Sequence, residues 1–299
     1  MKLSPSHFQP RTSPATKRRR KRRLTPVLRL LSIVLPAGLA LVVATPIPMD
    51  PPTVLRRVKP EPVSMKGPES LWELGPSLAR NSRVGAVVAD TDRGILFRQN
   101  ASEPHVLASV GKIYILIAYL DLIAQQQREP HELELAQMAM MIEESDNRSA
   151  TELWDILGGP EGLAAFLDAK RLPQVERAED DSWGGMRASA IDVSQVLASL
   201  YNGLILDERM TEFALDLMAR VIDEQAWGVG VDRNPAIATY LKNGWFPEEG
   251  GWVVNSVGIL VTGRERHYVV VLLTDSQSSF DEGVRLIEST VLLMRQYLR

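Results

Sequence analysis

A long run of apolar residues, Ser109–Gln127, limits how this sequence can fold more than any other feature. Its central letters, VGKIYILIAYLDLIA, are apolar almost all the way round a helix. A helix on the surface would carry a polar stripe along one side, so this pattern predicts a helix buried in the middle of a domain. The remaining elements must therefore present apolar faces on all sides of it.

Segments with strand character stand on both sides of this helix in the chain. The first pair turns at Asp92-Arg93-Gly94, and the last pair turns at Gly263-Arg264-Glu265. The predicted strands are Val84–Asp90, Ile95–Gln99, Ala236–Lys242, Gly251–Thr262 and Arg266–Thr274.

Helical periodicity fills most of the remaining sequence, with a polar loop at 173–187. The further predicted helices are Ser70–Arg80, Glu132–Glu143, Ser149–Leu157, Glu161–Lys170, Ala190–Asn202, Glu208–Ile222 and Asp281–Tyr297. Strands at both ends with helices between them predict an α+β fold. We expect one antiparallel sheet built from both ends of the domain, with flanking helices and an inserted helical subdomain.

Charge divides the chain into two unlike parts. Residues 1–66 carry 14 Lys and Arg against Asp50 and Glu61, whereas the remainder carries 20 basic and 35 acidic residues. We expect four segments. They are a basic cytoplasmic n-region (1–29), a hydrophobic signal or anchor segment (30–45), a Pro-rich linker (46–68) and a globular domain (69–299).

The basic flank followed by an apolar segment is typical of an export signal whose positive side stays in the cytoplasm. The apolar run is shorter than the ~20 residues of a comfortable membrane span, so cleavage and retention as an anchor both stay open. We expect a domain exported across the cytoplasmic membrane, either secreted or anchored by this single N-terminal segment. The competing interpretation of Lys17–Arg23 is nucleic-acid binding. The apolar segment that follows and the acidic domain argue against it.

Composition removes several kinds of site. The chain has no Cys, which excludes disulfide scaffolds, thiolate zinc sites and thiol nucleophiles. It has four widely scattered His, which argues against a His-rich metal centre. We therefore expect neither a metal nor a cofactor.

Ser109 and Lys112 stand at the start of the predicted buried helix. A spacing of three places their side chains one turn apart on the same face. A serine hydroxyl needs a neighbouring base, and burial depresses the pKa of a lysine so that it can serve as one. The alternative is an N-capping serine followed by a solvated lysine, which for an isolated Ser-x-x-Lys is the better interpretation.

Two further motifs are equally ambiguous when taken alone. Ser145-Asp146-Asn147 lies between two predicted helices, where these residue types also serve as ordinary caps and turns. Lys242-Asn243-Gly244 ends a predicted strand, where Asn-Gly is also a turn signal and Lys an edge-strand charge.

Taken together and in this order, the three motifs resemble those of the penicillin-recognising serine hydrolases, specifically the class A β-lactamase-like group. The resemblance extends from about Ser70 to Arg299. The phrases MIEESDN and KNGWFPEEGGWVVNSVGILVTGRERHYVVVLLTD are similar to those of actinobacterial members of the group. It implies a β-lactamase/transpeptidase-like fold over 69–299 and a serine hydrolase acting on amide C–N bonds.

The resemblance also implies a role for each residue. The catalytic residues would be Ser109 as the acylated nucleophile, Lys112 as its general base and Ser145 as the proton relay to the leaving nitrogen. Asn147 would orient the substrate amide, and Lys242 would bind a substrate carboxylate. The backbone N–H groups of Ser109 and Trp245 would form the oxyanion hole. The substrate-binding residues are thus Asn147, Lys242, Asn243, Gly244 and Trp245.

Two departures from the family pattern affect these expectations. Position 243 is Asn where the family usually has Thr or Ser, so an amide would replace the hydroxyl contact to the substrate carboxylate. The family's Glu-x-x-Leu-Asn, whose glutamate activates the deacylating water, is missing. The shorter stretch LPQVERAEDDSWGGMRAS offers four acidic residues without the matching neighbours: Glu176, Glu179, Asp180 and Asp181.

Three hypotheses follow from the resemblance. The first is an exported serine hydrolase that opens β-lactams through a covalent acyl-serine. The second is a DD-peptidase or penicillin-binding type of acyl hydrolase, acting on D-alanyl peptides and deacylating slowly. The third is a catalytically idle binding module of the same fold. In each case we expect a monomer that binds small molecules.

Overall fold

The buried helix forms as α1, Gly111–Gln125, in the computed structural model, which describes residues 83–233, 238–262 and 266–298. Twelve of its 15 residues are buried. The stretch Ala108–Gln125 is long and apolar enough to cross a membrane, but 78% of it is buried inside the domain. The composition of α1 is therefore that of a core helix, as its all-round apolar pattern predicts.

The main sheet has five antiparallel strands. They are β1 (Val84–Asp90), β2 (Gly94–Gln99), β5 (Thr239–Glu248), β6 (Gly251–Thr262) and β7 (Arg266–Thr274). Their spatial order is β2-β1-β7-β6-β5, so β1 pairs with β7 along its whole length. The two ends of the domain thus meet in the centre of one sheet, which confirms the predicted architecture. Strand β5 lies at an edge.

The helices after α1 are α2 (Glu132–Glu143), α3 (Asn147–Leu157), α4 (Gly159–Ala169), α5 (Ala190–Tyr201), α6 (Glu208–Ala219) and α7 (Phe280–Tyr297). Helices α2, α3 and α4 pack around α1 as the inserted subdomain. Helix α5 packs on β1 and β7, and α7 packs on β6.

Strand β7 shows why the sheet is apolar on both faces. Val269, Val271 and Leu273 point into the core shared with α1 and α5. Val270 and Leu272 point the other way, into a second core with α7. A strand covered on both sides needs apolar residues at every position, which accounts for the continuous run YVVVLL.

The prediction that a strand ends at Lys242-Asn243-Gly244 is wrong. Strand β5 runs on to Glu248, and Asn243 and Gly244 pair with Ser256 and Asn255 of β6 in its middle. The turn comes instead at residues 249–250, where Gly250 has φ +97°. Pairing with the full length of β6 outweighs the local turn preference of Asn-Gly.

Residues 173–189 contain more structure than the predicted polar loop. A short strand β3, Pro104–Val106, pairs with β4, Arg187–Ser189, in a separate two-stranded sheet. A 3₁₀ turn, Trp183–Gly185, precedes β4. Several predicted segments lie outside the described residues: 1–29, 30–45, 46–68, the helix Ser70–Arg80 and the turn Gly263-Arg264-Glu265.

Candidate active site

Ser109 lies in a 3₁₀ turn, Ala108–Val110, directly before α1. Ala108 has φ +51°, a left-handed conformation that costs a residue with a side chain about 1–3 kcal/mol. The buried amide of Asn255 on β6 holds the segment before the turn, donating to the carbonyls of Val106 and Leu107 at 2.7 and 3.2 Å. Ser109 itself remains partly exposed. The turn thus presents a hydroxyl to solvent from a tightly held backbone.

Gly244 brings the edge strand against this turn. A Cβ at Gly244 would lie 2.7 Å from the backbone nitrogen of Ser109 and 2.8 Å from that of Val110. Any larger residue would push β5 away from the turn. Glycine here therefore sets the gap between the edge strand and Ser109.

Lys112 follows one turn later on α1 and is completely buried. Its Nζ donates to the carbonyl of Ser145 and, at 2.7 Å, to Oδ1 of Asn147, and it lies 3.1 Å from the Ser145 hydroxyl. Burial lowers the pKa of Lys112 to about 7, against a smaller opposing effect of Asp146. No hydrogen bond joins Lys112 Nζ to Ser109, although both are among the described residues.

Ser145 occupies the turn between α2 and α3 with φ +60°. Its neighbour Asp146 caps α3, with the carboxylate accepting from the Ser149 N–H at 2.6 Å. This cap fixes where the turn ends and so where the Ser145 hydroxyl points. Asn147, the first residue of α3, accepts from Lys112 through Oδ1, and no hydrogen bond of its amide N–H groups is found in the described part of the chain.

Lys242 reaches the same point from β5. It is 1% exposed, and its Nζ lies 2.9 Å from the Ser145 hydroxyl and donates to the Asn243 carbonyl at 3.1 Å. Burial, followed by the charge of Lys112, lowers its pKa well below the ordinary value. Within 83–233, 238–262 and 266–298, neither lysine forms an ion pair with a carboxylate. The site therefore favours neutral amines.

Asn243 points away from this group, as the alternation along a strand requires. It is 1% exposed, and its amide nitrogen donates to the carbonyls of Gln225 and Trp227 at 2.8 and 3.0 Å. Both amide hydrogens are used, so the expected contact of this amide with a substrate carboxylate does not fit the conformation. Asn243 instead anchors β5 to the neighbouring segment.

Trp245 lies on β5 two residues after Asn243. Its ring packs on Trp227 and Phe280, with ring centroids 5.6 Å apart in both pairs. Its position one residue beyond Gly244 places it beside the turn that carries Ser109.

The loop before β4 supplies no carboxylate to this group. Glu176, Glu179, Asp180 and Asp181 are all exposed. Asp181 pairs with Arg177, and Asp180 accepts from the Ser182 N–H. What the loop brings to the lysines is an aromatic ring: the Trp183 ring centre lies 4.8 Å from Lys112 Nζ.

The sequence thus predicted the group formed by Lys112, Ser145, Asn147 and Lys242, and it predicted Ser109 and Gly244 beside it. It did not indicate Asn255 or Trp183. A polar Asn inside the apolar strand β6 is a signal for Asn255, whereas nothing local identifies Trp183. Among the described residues there is no cluster of His, Asp or Glu that could hold a metal ion.

The model of the beta-lactamase enzyme family matches residues 133–298, more than half of the chain. That stretch includes Ser145, Asn147 and Lys242, and begins after Ser109 and Lys112. No curated protein matches the sequence.

Solved structures show the same fold at low identity. The TLA-3 extended-spectrum β-lactamase is 16% identical, with a TM-score of 0.69 over 78% of this chain and 99% of that one. A β-lactamase from Chitinophaga pinensis is 15% identical, with a TM-score of 0.67 over 77% and 100%. A mutant of PBP-A, as its acyl-enzyme complex with penicillin G, is 18% identical, with a TM-score of 0.68 over 81% and 99%. The chain therefore has the fold of class A β-lactamases and PBP-A.

Proposed function

Because the chain belongs to the beta-lactamase enzyme family, we propose that it is a serine hydrolase that opens β-lactams through a covalent acyl-serine on Ser109. One observation carries the proposal. Two buried lysines with lowered pKa values, Lys112 and Lys242, meet at the hydroxyl of Ser145 beside the turn that presents Ser109. Such an arrangement can accept a proton and pass it on.

In the first step, Ser109 Oγ would attack the lactam carbonyl carbon while its proton passes to the neutral amine of Lys112. Ser109 Oγ and Lys112 Nζ must move closer together for this transfer, as catalytic groups commonly do when substrate binds. The backbone N–H groups of Ser109 and Trp245 would hold the developing oxyanion, and each well-placed donor is typically worth ~3 kcal/mol.

In the second step, the C–N bond of the lactam breaks and the nitrogen needs a proton. Ser145 is placed to supply it, because its hydroxyl can donate its proton to the nitrogen and take another from the lysines on either side. Asn147 would hold the substrate amide with its free N–H groups, and Lys242 would donate a hydrogen bond to the substrate carboxylate. The product is an ester on Ser109, which water must hydrolyse.

A second candidate is an acyl hydrolase of the penicillin-binding type that acts on D-alanyl peptides and deacylates slowly. The specific observation in its favour is that all four loop carboxylates are exposed. No carboxylate of residues 173–187 is then positioned to activate water at Ser109. The acyl-enzyme would form and persist.

Turnover separates the two candidates. The full chain is incubated with benzylpenicillin or a chromogenic cephalosporin, with Ser109→Ala as the control, and product and intact mass are followed. Many products per enzyme support the β-lactamase, whereas a burst of one product with a lasting adduct supports the second candidate. If neither product nor adduct forms, with these compounds or with a D-alanyl peptide, both proposals fail and the idle binding module remains.

We further propose that the domain acts outside the cytoplasmic membrane, as a monomer, delivered or held there by residues 30–45. The support is the sequence pattern of a basic flank followed by an apolar run. In intact cells, an added protease should digest the domain when it is anchored, or the domain should be found in the medium when it is released. A domain found protected in the cytoplasm would contradict export.

A further inference from the structure

Trp183 covers the amine of Lys112. Its ring centre lies 4.8 Å from Lys112 Nζ, and the lysine side chain is completely buried. The indole N–H donates to Thr151 Oγ1 on α3 at 3.1 Å. On the other side, the Trp183 carbonyl approaches α1 so closely that a Cβ at Gly111 would lie 2.9 Å from it. The backbone of Trp183 thus lies against α1, and its ring is bonded to α3 through the indole N–H.

The charged and titratable groups that act on Lys112 come from two other places. Lys242 faces it from β5, and Asp146 acts from the turn between α2 and α3. The loop bearing Trp183 contributes none, because its acidic residues are exposed or paired with arginine. The effect of the loop on Lys112 is therefore that of the ring.

An aromatic ring over an amine has two opposite effects. Its electron-rich face attracts an ammonium by about 0.5–2 kcal/mol, which favours the charged form. By keeping water away it favours the neutral form, and full burial can lower the pKa of a lysine by up to ~3–5 units. For Lys112 the pKa is lowered and burial is the largest cause. The Trp183 ring is one part of the surroundings that bury this amine.

We propose that Trp183 is a positioning residue for Lys112, whose ring keeps the amine out of water and thereby sets the pH range in which Ser109 can be acylated. The second half rests on the proposed function, whereas the first half concerns the unreacted protein. The loop before β4 places an aromatic ring, and no carboxylate, over the Lys112 amine. The family resemblance did not indicate this ring.

The test is a titration of Lys112 in the full chain, labelled with ¹³C at lysine Cε and followed by NMR, with the signal assigned by its loss in Lys112→Arg. Trp183→Ala opens the site to water, so we expect its titration midpoint to rise by about one pH unit or more. Trp183→Leu keeps the cover and removes the ring's attraction, so its midpoint should stay or fall slightly. A midpoint in Trp183→Ala that is unchanged or lower would overturn the proposal. If Trp183→Ala does not fold, a rise of the Trp183→Leu midpoint by half a unit or more would do the same.

The pH profile of acylation by benzylpenicillin gives a second readout. The neutral amine is the active form, so a higher pKa moves the acid limb of the profile to higher pH. Trp183→Ala should acylate about fivefold more slowly at pH 7, about tenfold more slowly at pH 6, and approach the unmodified enzyme at high pH. An equal loss at every pH would show a merely structural role and overturn the proposal. Should the unmodified chain form no acyl-enzyme, the proposed function fails, while the NMR titration still decides whether Trp183 keeps Lys112 dry.

Discussion

The Nζ atoms of Lys112 and Lys242 share one acceptor, the hydroxyl oxygen of Ser145, at 3.1 and 2.9 Å. The two lysines come from a central helix and an edge strand that are 130 positions apart in the chain. Two ammonium groups that are buried and share one acceptor repel each other, so the pair favours loss of a proton near neutral pH. The hydroxyl between them can then donate to whichever amine is neutral.

The first prediction concerns Lys112 as the base. Lys112→Met keeps the length of the side chain and removes the amine, so acylation by benzylpenicillin should fall by about 10²–10⁴-fold. Lys112→Arg should fall as far, because a guanidinium does not give up its proton in a protein. As the control, Arg148→Met removes an exposed positive charge from the neighbouring helix and should acylate normally. Stopped-flow acylation rates at pH 8 make the comparison, and an active Lys112→Arg would argue against this role.

A second prediction follows from the burial of Lys112. Its pKa is about 7 in the folded protein against 10.5 when unfolded, so the unfolded chain holds more protons between these values. The free energy of unfolding should therefore rise with pH over about pH 7–10, by on the order of 1 kcal/mol per pH unit for one such group. Above that range tyrosines oppose the trend, since burial raises the pKa of Tyr119 to about 12.

Urea unfolding at pH 7, 8 and 9 measures this effect. The unfolding free energy of the unmodified protein minus that of Lys112→Met should increase with pH, because the variant lacks the titrating group. If this difference stays constant or decreases with pH, the Lys112 amine is not shielded from water in the folded protein.

The third prediction concerns the narrow gap beside Ser109. Gly244→Ala places a Cβ within 2.7 Å of the Ser109 nitrogen, so the strand or the turn must move. We expect at least a tenfold loss in the rate of acylation, since displacement of an oxyanion-hole donor has effects of this size or larger. Gly184→Ala is the matched control, because a Cβ there meets nothing within 4 Å. Equal rates for the two variants would show that the gap does not matter.

The fourth prediction tests whether Asn243 serves stability. Asn243→Ala removes a buried amide and leaves the half-buried carbonyls of Gln225 and Trp227 without their donor, which should cost about 1–3 kcal/mol of unfolding free energy. Asn202→Ala, which removes an exposed amide bonded to the Thr91 carbonyl, should cost less than about 0.5 kcal/mol. Thermal and urea unfolding provide both values. If Asn243→Ala were as stable as the control, the amide would be free for another role.

Local sequence patterns predicted the parts of this fold whose environment is uniform. The all-round apolar pattern of α1 and the unbroken apolar run of β7 each predict an element that is covered on every side. Both elements lie where they were predicted. Asn243-Gly244 misled the prediction because a dipeptide shows only its turn preference, while the partner strand that overrides it is a separate part of the sequence.

The site divides in the same way. Lys112, Ser145 and Lys242 belong to three short motifs that together resemble those of a known family, and that resemblance implied that they share one site. Asn255 acts on Leu107, and Trp183 acts on Lys112, across long stretches of chain and with no motif at either end. Only the packing of β6 and of the loop before β4 brings those pairs together.

The most direct test of the account is to locate the acylated residue. The full chain is treated with benzylpenicillin, digested, and its peptides are sequenced by tandem mass spectrometry, alongside Ser109→Ala and Ser145→Ala. We predict a penicilloyl group on Ser109, none in Ser109→Ala, and slowed labelling at the same residue in Ser145→Ala. Labelling of a different residue, or none in the folded unmodified protein, would contradict the central claim that Ser109 is the nucleophile of this site.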